Sequence, residues 1–190
     1  MQSIIDLIGA TAIGGMLLIT LFTSLITIQE NNMTLRSEME MVRQLEYVSG
    51  FINDYFLDKV GFQLPAGTEV FPKAKAKHLR VNTKLADGDD TIYLVRLYTA
   101  AKDDDYGYPF YIKHAGLPNI GPIWLAEKVN FKYYDVNEVE LSNAELDTAD
   151  GRARIRSVKT KLTLYYGEYN SESMVTRTIE FWKYFPNLEI

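Results

Sequence analysis

The chain has 190 residues, 47% of them apolar and 24% charged, with a formal net charge of −5 and no Cys. The missing Cys excludes disulfides and thiolate metal sites, and the lack of a basic surplus disfavours nucleic-acid binding by bulk electrostatics. Length leaves room for one domain with its own core beyond an N-terminal segment.

The first element is an uncharged apolar run, Leu7 to Ile28, interrupted by nothing stronger than Thr, Ser and Gly. At 1.5 Å per residue it is about 33 Å long, enough to cross the hydrocarbon core of a bilayer. No basic residue precedes it, the first being Arg36, and no Ala-x-Ala pattern ends it. It therefore reads as an uncleaved anchor and not as a secretory signal. A chain already trimmed of a basic leader would look the same.

Asp6 stands at the edge of this run. A carboxylate there either marks the headgroup boundary or pairs with a cation inside an assembly. The nearest candidate cation is the α-amino group of a neighbouring copy, because no Lys or Arg lies in the first thirty-five residues. Gly9, Gly14 and Gly15 follow. Ala10 with Gly14, and Thr11 with Gly15, form small-xxx-small pairs suited to close helix packing, whereas adjacent Gly14-Gly15 would also serve as a point of local stretching. Both readings stand.

From Leu35 the apolar residues recur as Leu35, Met39, Val42, Leu45, Val48 or Ser49, Ile52, Tyr55 or Phe56, and Val60. Steps of three and four mark one helix face, with Glu38, Glu40, Arg43, Glu46, Asp54 and Asp58 on the wetter side. Part of that face is expected to dock on the following domain. Gly61 and Pro65 supply stop signals. Residues 1–62 thus form one long helix, 1–29 transmembrane or filament core and 30–62 amphipathic.

Residues 63–190 form the second part, a near-neutral head. Thr91–Tyr98, Pro109–His114, Ile123–Tyr134 and Val158–Tyr166 are rich in β-branched and aromatic residues and read as strands. Val158, Leu162, Leu164 and Tyr166 alternate with Lys159, Lys161 and Thr163, and Val175, Ile179 and Phe181 repeat the pattern across the turn-like tract Gly167–Ser173. Residues 155–184 are an antiparallel hairpin on this reading, with a bulge near Arg156–Ser157 because Ile155 is off parity. Asp87–Asp90 and Asp147–Gly151 have turn chemistry, and the alternation Lys73–Lys77 reads as an exposed strand or loop. The fold class is α+β: a long N-terminal helix packed on an antiparallel β-sheet head.

Candidate chemistry is thin. His78 and His114 have no partner spacing, and neither Asp103–Asp105 nor Asp87–Asp90 has the twelve-residue loop of a calcium site. No phosphate loop, nucleophile elbow or carboxylate pair appears, so neither an enzyme nor a bound metal or cofactor is expected.

This arrangement resembles the type IV pilin and pseudopilin superfamily: a long helix, apolar then amphipathic, an early acidic residue and a C-terminal antiparallel sheet. Val129–Asp135 (VNFKYYD) followed by Arg156–Tyr166 (RSVKTKLTLYY) is similar to minor pseudopilin heads. The resemblance implies an N-methylated mature terminus, a role that Met1 fits, and a conserved-type acidic residue at the fifth mature position. Here the fifth residue is Ile5 and the acid is Asp6, so either the mature start is Gln2, which restores the spacing, or the register differs by one. The family's helix-breaking Pro is missing, with Gly14-Gly15 in its place, and no C-terminal disulfide loop can form. The implied function is a structural subunit of a pilus-like extracellular filament on the cell surface. Its partners would be further copies of itself, the inner membrane before assembly and the pilus assembly machinery. A minor pseudopilin of a secretion or DNA-uptake machine, or a membrane-tethered binding domain that never polymerises, are the alternatives.

Overall fold

A computed structural model describes residues 2–61, 64–84, 91–114 and 119–188. The chain is α+β: one long N-terminal helix is followed by an antiparallel sheet of eight strands. It divides into two compact units, Met1–Glu40 and Met41–Ile190. The expected turn at Asp87–Asp90 lies outside the described residues.

The helix α1 spans Gln2–Gly50. In the second unit it buries Met41, Leu45, Val48 and Ile52, each 6% exposed or less, among the core residues of the sheet. Steps of four, three and four keep these side chains on one line. Leu35, Met39 and Val42, expected on the same face, are 56%, 72% and 46% exposed. Each step of three rotates a residue by about 60° around the helix, so the line from Met39 through Val42 to Leu45 drifts across the surface instead of following one face.

Beyond Gly50 the helix widens into a π-turn over Phe51–Phe56 and then tightens to 3-10 geometry over Leu57–Lys59. Among the described side chains the next buried apolar one after Ile52 is Leu57, five residues on across the π-turn. The expected Tyr55 or Phe56 side chains lie outside the described residues. Three contacts then fasten the end of this segment to the sheet. Val60 bridges Thr83, whose Oγ1 donates to the Lys59 carbonyl at 2.6 Å, Asn187 Nδ2 donates to the Asp58 and Val60 carbonyls, and Lys183 pairs with Asp58.

The strands are β1 (Lys73–Lys75), β2 (His78–Thr83), β3 (Tyr93–Thr99), β4 (Tyr108–His114), β5 (Ile120–Leu125), β6 (Asn130–Tyr134), β7 (Ser157–Tyr166) and β8 (Val175–Tyr184). Their order is β1-β2-β3-β4-β5-β7-β6, with β8 on the other edge of β7, and every pairing is antiparallel. Alternation places Leu79, Val81, Val95, Leu97, Phe110 and Ile112 in the core while their neighbours face away from it.

The expected strand Ile123–Tyr134 is two strands. Both lie against β7, Leu125 opposite Leu164 and Asn130 opposite Lys161, so five steps on one side meet three on the other. Residues 126–129 absorb the surplus. The hairpin of β7 and β8 forms as expected, in unbroken register from Ser157 opposite Tyr184 to Tyr166 opposite Val175. The expected bulge near Arg156–Ser157 is therefore absent. Ile155 is buried because it ends the connection from a short helix, its N–H donating to the Arg152 carbonyl.

That helix corrects a second expectation. Asp147–Gly151 is not a simple turn but part of two short helices, α2 (Asn143–Leu146) and α3 (Ala149–Ala153). Ser142 and Glu145 form a reciprocal capping box on α2, and Thr148 caps α3. The pattern Ser-x-x-Glu at 142–145 is legible in the sequence.

Truncation should separate the two apolar lines on α1. Ile52→Ala is expected to lower unfolding free energy by about 2–5 kcal/mol, whereas Leu35→Ala should change it by less than about 0.5 kcal/mol. Urea unfolding in detergent, followed by head-domain Trp fluorescence, reads both. Equal losses would show that the buried line is misplaced.

Candidate membrane-spanning and assembly segment

Every Ile, Leu, Met and Phe in residues 4–28 is exposed, from 53% at Leu25 to 69% at Met16. They occupy all sides of α1, so no rotation of the helix hides them from water. Each such side chain gains roughly 1.5–3 kcal/mol on full burial. This is the one helix among the described residues long and apolar enough to cross a membrane.

The polar side chains of the segment are matched to an apolar solvent. Thr20 donates to the Met16 carbonyl at 2.9 Å, Thr23 to Ile19 at 2.8 Å and Thr27 to Thr23 at 3.0 Å; Thr11 donates likewise to Leu7. Each hydroxyl proton is satisfied one turn back within the same helix, as hydrocarbon requires. Asp6 is an exposed carboxylate on α1. Met1, the other expected assembly residue, lies outside the described residues.

Gly14 and Gly15 sit in regular α-helix. A Cβ built on Gly9, Gly14 or Gly15 would meet no heavy atom within 4 Å. Nothing in this chain's own packing therefore requires glycine at these positions.

The remaining sequence candidates do not converge. His78 on β2 faces away from the core, whereas His114 on β4 is buried and stacks on Tyr93 at 4.8 Å between ring centroids. His78 Nε2 accepts a hydrogen bond from Arg80 Nε at 3.1 Å. Among the described residues no group of three or more His, Asp or Glu is placed to hold a metal ion. Asp103 is engaged locally, its Oδ1 accepting from the backbone N–H of Asp105 and Tyr106.

The surroundings of His78 displace its titration. Burial, then the positive charges of Lys73, Arg80 and Arg96, lower its pKa to about 4. Burial lowers that of His114 as well. No family model, curated protein or solved structure matches this chain.

A pH dependence follows. Both histidines bind protons less readily in the fold than in the unfolded chain, which takes them up as pH falls through 6.5, so stability should fall as pH drops from 6.5. The His78 contribution levels off near pH 4. Asp135 and Glu145, held low by backbone N–H donors (Val139 for one, Ser142 for the other), are lost only as pH falls further, which leaves pH 6.5–5 to the histidines. His78→Gln should flatten the denaturation midpoint across that window, with a residual slope from His114. An unchanged slope would show that His78 titrates normally.

Proposed function

We propose that this chain is a membrane-anchored structural subunit of a pilus-like filament of the type IV pilin kind. The observation that carries the reading is the all-round exposure of residues 4–28, on a helix whose later turns bury a separate line of side chains in the head. One segment needs lipid or other apolar helices as solvent, and the other is already occupied.

On this reading the chain first crosses the inner membrane once, with its head outside the cytoplasm. The assembly machinery then transfers it into a helical polymer in which the apolar segments bundle and the heads face water. The open space around Gly14 and Gly15 suits close approach by neighbouring helices, and adjacent glycines lower the cost of local stretching in such a bundle. Leu35 and Met39, exposed beyond the apolar segment, extend the surface offered to neighbours.

Asp6 sets register. An unpaired carboxylate inside the bundle is costly, and the α-amino group of a neighbouring Met1 is the cation that staggered copies bring to that depth. Pairing penalises out-of-register insertion, so it acts on specificity more than on stability.

Asp6→Ala is expected to leave the head folded and to cut filament yield by about tenfold or more, and Asp6→Glu to be milder. Electron microscopy of sheared cell-surface material, with immunoblotting of membranes for total subunit, separates assembly from expression. Normal yield from Asp6→Ala cells would reduce Asp6 to a membrane-boundary residue. Absence of filaments from wild-type cells with abundant membrane-held subunit would favour a tethered domain that never polymerises.

A further inference from the structure

The cross-strand register of β1–β4 lines up four cations on the face turned away from the core. Lys73 lies opposite Arg80, Arg80 opposite Arg96, and Arg96 opposite Lys113. Like charges placed directly opposite destabilise a sheet. None of the four is in an ion pair among the described residues.

The other half of the sheet treats its lysines differently. Lys132 pairs with Glu140 at 2.9 Å and Lys159 with Glu180 at 2.6 Å. Among the described residues the chain therefore places carboxylates beside those cations and none in an ion pair with this row. The missing negative charge fits a ligand.

A second row runs parallel to the first, two residues along each strand: Lys75, His78, Tyr98 and Tyr111. Its rings pack on one another across the strands, His78 tilted by 33° on Tyr98 at 5.5 Å and Tyr98 stacked at 28° on Tyr111 at 5.6 Å between centroids, with Lys113 Nζ 5.8 Å from both tyrosine ring centroids. Strands about 4.8 Å apart make the cation row roughly 14 Å long, and two residues of rise set the ring row about 6.6 Å to its side. A ligand matching both rows carries a line of anions and, beside it, a line of flat π-systems.

We propose that this face binds single-stranded nucleic acid, with phosphates along Lys73, Arg80, Arg96 and Lys113 and unpaired bases extending the ring stack of His78, Tyr98 and Tyr111. Base stacking on aromatic side chains beside a cationic track is tolerant of sequence, because every base has a π-face. A duplex offers the phosphates but not the base faces. An anionic lipid surface offers charge with no use for the rings. The proposal rests on the head alone and stands or falls independently of the filament reading.

The test is fluorescence anisotropy of a labelled oligothymidine with the full chain in neutral detergent. Binding is expected to weaken with salt, with a logarithmic slope of about −0.7 per phosphate neutralised. Arg80→Gln with Arg96→Gln should reduce that slope by about 1.4 and the affinity at least tenfold. Because the substitution relieves like-charge contacts, the melting temperature should hold or rise, which separates lost binding from lost fold. Tyr98→Ala should weaken the oligothymidine roughly tenfold while leaving the salt slope unchanged. Lys132→Gln with Lys159→Gln, on the neutralised half of the sheet, should have little effect. Absence of binding by the intact chain at about 50 mM salt would overturn the proposal. So would tighter binding to duplex with no effect of Tyr98→Ala, or binding only to vesicles containing phosphatidylglycerol.

Discussion

A helix that is apolar on every side for its first half cannot be solvated by water, and this constraint governs the rest of the chain. Residues 4–28 expose each large apolar side chain they contain. The backbone of such a segment has to satisfy its polar groups internally, which favours unbroken helix despite three glycines and several threonines. The threonine hydroxyls follow the same rule by bonding one turn back. What a soluble domain would treat as helix-weakening residues are here compatible with a continuous helix.

The second unit answers a different demand. Met41, Leu45, Val48 and Ile52 are buried with the sheet, and the step from Ile52 to Leu57 is taken by a π-turn. The carbonyls freed as the helix ends are taken up at once by Thr83 and Asn187, from opposite ends of the head sequence. Helix end and sheet are thereby closed into one folding unit, and the ion pair of Lys183 with Asp58 adds a contact from β8.

Much of this was legible in the sequence because it is periodic. The apolar run, the alternation in β7 and β8 and the turn chemistry between them each repeat over enough residues to identify an element. The errors fall where two periods compete. The line through Leu35, Met39 and Val42 has helical steps, yet its threes accumulate rotation and leave the buried face. The run from Ile123 to Tyr134 is β-rich throughout, and only pairing with β7 reveals the surplus residues that divide it. His78–Thr83 carries a clean alternation of Leu79 and Val81 with polar neighbours, a signal present in the sequence that marks β2. Of the assembly residues, Asp6 is conspicuous because it is alone; its partner, if a second chain supplies it, is not encoded near it.

Charge is where local sequence says least. Lys73, Arg80, Arg96 and Lys113 are spread over forty-one positions in a head whose total charge is close to zero, and although residues 73–80 are locally basic, Arg96 and Lys113 lie far from them in sequence. Antiparallel register gathers them, because partners on successive strands fall at the same height whatever the loop lengths between them. The same register puts Glu180 next to Lys161 and beside Lys159, neutralising the opposite half of the sheet. Two cationic patches therefore differ in field through the placement of carboxylates. His78 reports that difference from within the fold: burial first, and then three of the row's four cations, lower its pKa, and pairing partners beside Lys73, Arg80 and Arg96 would weaken the second of these causes.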